Sequence, residues 1–143
     1  MACGSIAAWQ SKPVDRHRFF VDYASQMYHP DDAVDMAGGL EELSEADHLT
    51  AEALGPYTVD RLWEDPFTAA RLKRVESDRA KLHRERLLAE DAEKRFLRAA
   101  AAAQDTYTLP SLIVTARMLD YAGMKYIYAG RDRRFFQDSG PAP

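Results

Sequence analysis

The chain has 143 residues, of which 46% are hydrophobic and 29% are charged, and its formal net charge is −4. A chain of this length and composition can bury a core of its own, which excludes the disordered class and favours a single domain. The acidic balance gives no reason to expect nucleic acid as a partner. The one cysteine, Cys3, excludes an intrachain disulfide and a multi-cysteine zinc site.

Residues 1–12 form a segment that is too short to contain an obvious packing partner for its own apolar residues. Their sequence is small and apolar up to Trp9, and it lacks the basic segment and long apolar run of a secretory signal. Two interpretations stay open, a frayed terminus or a piece cut from a larger protein. We expect that Met1 is not the natural start, so the sequence leaves the compartment unknown and allows an exported parent protein.

Two helices are predicted between residues 14 and 54. Pro13 precedes the first, over about 14–28, at a position that favours proline. His29-Pro30 ends it, because the residue before a proline avoids helical geometry. The second helix covers about 31–54, and Gly55-Pro56 is a strong stop signal after it.

The spacing of apolar residues predicts which faces of these helices are buried. Within the second helix, Gly38-Gly39 costs about 1 kcal/mol per glycine relative to alanine. We interpret that pair as a sign of close helix packing rather than of a break. On the first helix the predicted buried face holds Phe19, Phe20, Tyr23 and Met27. On the second helix the candidate buried positions are Val34, Met36, Ala37, Leu40, Leu43, Ala46 and Leu54.

A long third helix is predicted from Asp65-Pro66, which supplies an N-cap acid and a first-turn proline, to about Ala103. Its apolar stripe has members at seven-residue spacing, which suits helices that cross at a small angle. Charged residues occupy the companion stripe, so we favour a bundle helix over a coiled-coil dimer. The stripe comprises Phe67, Leu72, Val75, Leu82, Ala89, Phe96 and Ala103, and the companion positions are Arg79, Arg86 and Glu93.

The last helix, 109–129 with a continuation to about Phe136, is apolar on every side of a helical wheel. Such a helix is predicted to be buried at the centre of the domain, and its three charges, Arg117, Asp120 and Lys125, argue against a membrane span. We expect Arg117 and Asp120 to pair with each other or with a neighbour; anchoring a partner domain is the alternative. Residues 137–143 are predicted to be a disordered tail.

Charge is divided unevenly along the chain. Eleven acids and one base lie between Asp31 and Asp65, whereas ten bases and six acids lie between Arg71 and Arg98. This pattern predicts an acidic helix packed beside a basic one. A basic helix that binds phosphate is the alternative, but no glycine-rich loop or interleaved aromatic residues accompany it.

The sequence predicts an all-α fold, an antiparallel bundle of about four principal helices over residues 13–136, with a buried, nearly all-apolar last helix. It predicts no catalytic residue, cofactor or metal. The histidines His17, His29, His48 and His83 lack the spacing of zinc ligands, and no nucleophile elbow or phosphate loop is present. His29 with Asp31, Asp32 and Asp35 is interpreted as a helix start, with an incidental cation site as the alternative.

Four blocks of the sequence, read together, resemble a known family. They are AAWQSKPVDRHRFFVDYASQMYHP, ALGPYTVDRLWEDPF, RLLAEDAEKRFLRA and LPSLIVTARMLDYAGMKYIYA. They look like the helical region that follows the catalytic barrel in bacterial proteins related to family 20 glycoside hydrolases, the β-N-acetylhexosaminidase-like enzymes. The resemblance implies an accessory C-terminal domain of an enzyme that hydrolyses β-N-acetylhexosaminides.

In that family an adjacent Asp-Glu pair on the barrel performs catalysis, and this chain has no counterpart of the pair. A barrel of that kind needs about 200 residues or more, so the resemblance implies a fragment that is not catalytic alone. GSIAAWQ resembles the end of such a barrel, which makes residues 1–12 its remnant. It also makes Trp9 a candidate substrate-binding residue, with structural packing as the alternative role.

The expected partner is the catalytic barrel of the parent chain, with self-association also possible and neither nucleic acid nor a membrane expected. A second hypothesis is a free-standing helical bundle that acts as an interaction or oligomerisation module.

Overall fold

A computed structural model describes residues 13–55, 62–102 and 107–138 of the chain. These residues form four helices and no strand: α1 (Arg16–Met27), α2 (Pro30–Leu54), α3 (Ala69–Ala102) and α4 (Thr108–Asp138). The predicted all-α bundle is therefore confirmed. Residues 1–12, with Cys3 and Trp9, lie outside the described residues, as do 56–61, 103–106 and 139–143.

Proline and glycine set the helix boundaries in the first half of the chain. The Asp15 side chain accepts a hydrogen bond from the Arg18 backbone N–H at 3.1 Å and caps α1. Pro30 stands at the first turn of α2. Gly55 ends α2 with a φ of 97°, a backbone conformation that glycine adopts without steric cost. The stop and start signals in the sequence predicted these boundaries to within two residues.

Ion pairs between neighbouring helices show that the bundle is antiparallel. Asp35 near the start of α2 pairs with Arg98 near the end of α3 at 2.7 Å, and Glu52 near the end of α2 pairs with Lys81 at 3.1 Å. The acidic helix thus packs beside the basic one, as the charge pattern predicted. Arg117 near the start of α4 pairs with Glu93 in the second half of α3 at 2.6 Å. Helices α3 and α4 therefore also run antiparallel.

The central helix is α3, because it packs against both α2 and α4 whereas α2 and α4 touch each other little. The prediction that the helix of residues 109–129 lies at the centre of the bundle is therefore wrong. Helix α4 buries one side, and it leaves Val114, Tyr121 and Tyr128 about half exposed on the other. Its buried side carries Leu109, Ala116, Leu119, Ala122, Tyr126, Ile127 and Ala129.

Helix α3 begins at Ala69, later than predicted, because Asp65 does not cap it. Its carboxylate accepts a hydrogen bond from the Phe67 backbone N–H at 2.9 Å in a turn that precedes the helix. Phe67 is exposed rather than part of the core stripe. The remaining described positions of that stripe are confirmed as buried: Leu72, Val75, Leu82, Ala89 and Phe96.

The second buried stripe of α3 lies three residues after the first, not four. It consists of Glu85, Ala92 and Ala99, all fully or almost fully buried. The predicted companion stripe of charged residues instead supplies ion pairs, with Arg86 bound to Asp120 and Glu93 bound to Arg117. Two alanines on this face allow the neighbouring helices to approach closely.

Gly39 of α2 lies against the ring of Phe96. A Cβ at Gly39 would stand 2.6 Å from the Cε1 atom of that ring, and at Gly38 it would meet only the flexible end of Arg95. Helix α2 runs through both glycines without interruption. Close helix packing is therefore confirmed as the reason for this pair, and it applies chiefly to Gly39.

Helix α1 packs on α2 through a face that shares only Phe20 with the predicted core positions, and Phe19 is partly buried. The side toward α2 carries Phe20, Val21, Ala24 and Tyr28. Tyr23 and Met27 are exposed, so their assignment to the core is wrong. Val34 of α2 is likewise exposed, whereas Met36, Ala37, Leu43, Ala46 and Leu54 are buried and Leu40 is partly buried against the core.

The core is divided into two clusters along the bundle. The larger contains residues of all four helices, among them Met36, Phe96 and Leu119. The smaller lies toward the end of α2 and comprises Ala53, Leu54, Val75, Leu82, Tyr126 and Ile127. On α3, Glu85 stands between Leu82 of the smaller cluster and Ala89 of the larger.

Candidate functional site

An apolar groove opens between α1, α2 and α4, on the side of the bundle away from α3. Its volume is about 430 Å³, within the range of small-ligand pockets. The polar groups among its lining are Ser44, Asp47 and Thr115, and the apolar wall is formed by Phe20, Leu40, Leu43, Leu62, Met118 and Leu119. Such a lining suits apolar contact and offers little for chemistry.

The turn of residues 62–68, here called the Trp63 turn, stands beside this groove. Leu62 lines the groove, and the next residue, Trp63, is 83% exposed. Lys125 of α4 donates hydrogen bonds to the backbone carbonyls of Leu62, at 2.8 Å, and of Glu64. Burial lowers the pKa of the Lys125 ammonium below its usual range. The Lys125 ammonium group thus exchanges hydrogen bonds to water for hydrogen bonds that fix this turn.

An ion pair fixes the same turn from the side of α3. Arg71 contacts the Glu64 carboxylate at 2.7 Å and also donates to the backbone carbonyl of Leu54, at the end of α2. The Trp63 turn is thus tied to α2, α3 and α4. The exposed Trp63 side chain therefore lies on a turn whose backbone is held by these contacts.

The outer side of α1 carries an apolar stripe, here called the α1 stripe, made of Phe19, Tyr23 and Met27. The rings of Phe19 and Tyr23 stack with their centroids 6.4 Å apart, and Met27 is 62% exposed. Residues four apart lie above one another on a helix. The stripe is therefore continuous along α1, from the partly buried Phe19 to the exposed Tyr23 and Met27.

Glu85 is the one described carboxylate that is completely buried. Both of its oxygens lack a hydrogen-bond partner among the described residues. Burial, together with the nearby negative charge of Asp120, raises the pKa of Glu85 to about 9, against the opposing effect of Arg86. Gly123 of α4 makes room for it, because a Cβ there would stand 2.1 Å from the carboxylate. At neutral pH this side chain is protonated.

Arg117 and Asp120 both pair with residues of α3, so the prediction of neighbouring partners is confirmed. Asp120 accepts a hydrogen bond from Arg86 at 2.6 Å, and Arg117 donates one to Glu93 at 2.6 Å. The hydrogen bond with Asp120 raises the pKa of the Arg86 guanidinium. Both pairs contribute to the α3–α4 contact.

A second cavity of about 650 Å³ lies between α1, α2 and α3, and it contains the richest group of acids. Glu41 is hydrogen-bonded to His17 at 2.9 Å, which raises the pKa of the imidazole. The two carboxylate oxygens of Glu42 share the Nε–H of Arg95, at 2.9 and 3.0 Å. Two of the three acids that line this cavity, Glu41 and Glu42, thus each bind a basic side chain.

The alternative of a cation site near His29 gains no support. Arg98 donates two hydrogen bonds to Asp35, which lower the pKa of that carboxyl, and Arg95 adds a third contact. Across residues 13–55, 62–102 and 107–138, no three His, Cys, Asp or Glu side chains are grouped as metal ligands. No helix in that part of the chain is long and apolar enough to cross a membrane.

Sequence reasoning missed the three most informative polar and aromatic positions. The sequence patterns assign no role to Trp63 or Glu85, and they identify Lys125 only as a charge in the last helix. The seven-residue stripe carried a usable signal for Glu85, since position 85 lies between Leu82 and Ala89 on the buried side. Trp9, the predicted substrate-binding residue, lies outside the described residues.

Comparison with known proteins gives no relative for this chain. No family model, no curated protein and no solved structure matches it.

Proposed function

We propose that this chain is a docking module that acts by contact rather than by chemistry. Its role is that of the helical accessory region of a β-N-acetylhexosaminidase-like glycoside hydrolase, and it is not catalytic alone. Hydrolysis of the β-N-acetylhexosaminide belongs to the parent protein. Trp9 is its candidate contact with the sugar.

The observation that carries this proposal is the α1 stripe. Phe19, Tyr23 and Met27 form a row of large apolar side chains, in which Phe19 is partly buried and Tyr23 and Met27 are exposed. Contiguous apolar surface of this kind marks sites of protein contact. Helix α1 is also the first helix after residues 1–12, whose sequence resembles the end of a barrel. A barrel that precedes this chain would therefore meet α1 first.

Support for a glycosidase as the partner comes only from the four sequence blocks. They place aromatic and packing residues, not acids, in the pattern of the family. The second candidate, a free-standing oligomerisation module, is favoured by a different observation. That observation is the exposed Trp63 beside an apolar groove.

The coding sequence immediately upstream of the Met1 codon tests the choice of partner. We expect an in-frame barrel that contains an adjacent Asp-Glu pair. A ribosome-binding site that follows an unrelated gene would contradict the glycosidase assignment.

The docking face is tested by mixing the separately purified barrel with this chain and measuring their affinity by titration calorimetry. Met27→Ser should weaken binding about tenfold or more, a loss of about 1.4 kcal/mol. Leu87→Ser is the matched control, because Leu87 is equally exposed but lies on α3. Equal affinities for the two variants would show that the α1 stripe is not the docking face.

A further inference from the structure

Helix α1 is the least buried of the four helices. It packs chiefly on α2, and Ala24 is the one residue among its twelve that is buried. Phe20 and Val21 add partly buried contacts with the larger core cluster. A helix of this length is marginal in water by itself. The helical structure of α1 therefore depends on its contact with α2.

Open space lies on both sides of α1. The groove of about 430 Å³ lies on the side of α4 and takes Phe20 of α1 as part of its wall. The cavity of about 650 Å³ lies on the side of α3, where His17 and Val21 are among its lining. Helix α2 forms a wall of both spaces. Outward movement of α1 would thus break contacts mainly with α2, and it would join the groove and the cavity into one open face.

The end of α1 has the form of a hinge. Tyr28 and His29 are the two residues that connect α1 to α2, and both have an extended backbone, with ψ angles of 160° and 146°. His17 lies eleven residues before Tyr28, which is about 16 Å along a helix. A rotation at the connection would therefore move the start of α1 farthest from α2.

The start of α1 is held to α2 by two polar contacts. Arg16 donates a hydrogen bond to the Ser44 hydroxyl at 2.7 Å, and His17 is hydrogen-bonded to the Glu41 carboxylate at 2.9 Å. The second contact depends on pH, because its hydrogen bond and then the negative charge of Glu41 raise the pKa of the imidazole above its ordinary value of 6.5. Asp15 acts in the same direction. The other charged groups that line this cavity are Arg16, Glu42, Glu45 and Arg95.

The sign of this dependence follows from the raised pKa of His17. The folded chain holds the imidazole proton more tightly than a detached α1 would, so the contribution of the pair is complete below pH 6.5 and is lost as pH rises through the raised value. We propose that α1 is a hinged lid on α2, which turns about Tyr28 and His29 and is latched closed by Glu41 when His17 is protonated. Opening removes Phe20 from the wall of the groove, so this lid controls access to it.

Amide hydrogen exchange of the whole chain, measured by NMR at pH 6 and pH 8 and corrected for intrinsic rates, tests the lid. Because a detached α1 does not keep its helix, the amides of Val21 and Ala24 should share one protection factor. That factor should be lower by about tenfold or more than the factors of Leu82 and Ala89 in α3. It should fall about two- to fivefold from pH 6 to pH 8, the size of effect expected of an exposed ion pair.

Two substitutions separate the latch from other effects of pH. Glu41→Gln should give α1 at pH 6 the low protection that the wild type shows at pH 8. His48→Gln is the matched control, because His48 pairs with Glu52 within α2, at 3.2 Å, and should leave α1 unchanged. Equal protection of α1 and α3, or protection of α1 that declines steadily toward Arg16 as in fraying, would overturn the lid. Wild-type protection in Glu41→Gln would overturn the latch. None of these results depends on whether a glycosidase barrel precedes the chain.

Discussion

Glu85→Met is expected to stabilise the chain at neutral pH by about 3–4 kcal/mol. The carboxyl of Glu85 is fully buried without a hydrogen-bond partner among the described residues, and its pKa is raised to about 9. Folding at pH 7 must therefore protonate a group that is ionised in the unfolded chain, which costs about 1.4 kcal/mol per unit between its ordinary pKa and the working pH. Methionine has a similar length and needs neither a proton nor a partner.

The same reasoning fixes the direction of the pH dependence. The unfolded chain releases the Glu85 proton near its ordinary pKa of 4.5, whereas the folded chain keeps it up to about 9. Between these values the folded state binds more protons, so the stability contributed by Glu85 is complete below pH 4.5 and is lost as pH rises toward 9. The charged groups that act on it are Asp120 on α4 and Arg86 on its own helix.

Urea unfolding at several pH values, with wild type and Glu85→Met in parallel, measures this effect. The stability difference between the two proteins should grow from pH 5 to pH 8, by about 1.4 kcal/mol per unit at most. The isosteric variant Glu85→Gln should remove the same pH dependence. A difference that stays constant across this range would show that Glu85 is ionised in the folded chain.

Leu119→Asp is expected to lower the free energy of unfolding by about 4 kcal/mol or more. Leu119 is 5% exposed in the larger core cluster, and aspartate there would bury a charge without a partner. Leu87→Asp is the matched control, because Leu87 is 63% exposed on α3 and surface changes usually stay within about 0.5 kcal/mol. Equal melting temperatures for the two variants would show that α4 does not contribute to the core as described.

Sequence reasoning succeeded where local chemistry decides the structure. Pro30 at the start of α2 and Gly55 at its end act through their own backbone geometry. The burial of Val75, Leu82 and Phe96 was also predictable, because positions on one buried face of a long helix recur at seven-residue spacing. The Gly38-Gly39 pair was interpreted correctly from its cost in a helix.

The sequence does not predict which face of a helix is buried where that depends on the position of a neighbouring helix. The α1 stripe of Phe19, Tyr23 and Met27 has the same spacing as a core stripe, and only the position of α2 shows that Tyr23 and Met27 are exposed. Helix α4 is apolar on all sides, so its sequence could not reveal which side α3 covers. Lys125 holds the Trp63 turn through backbone carbonyls that lie 63 and 61 positions before it, and no local pattern predicts such contacts.

The central claim, that the chain acts by contact rather than by catalysis, is tested most directly by assaying the purified chain with an aryl N-acetyl-β-glucosaminide. Substrate-assisted hydrolysis needs a general acid and a second group that holds the acetamido nucleophile. In the described residues the groove offers one carboxylate, Asp47, and the acids Glu41 and Glu42 of the second cavity are bound to His17 and Arg95. We predict no turnover above that of buffer. Turnover that persists through stringent purification and disappears in the Glu41→Gln variant would contradict the account.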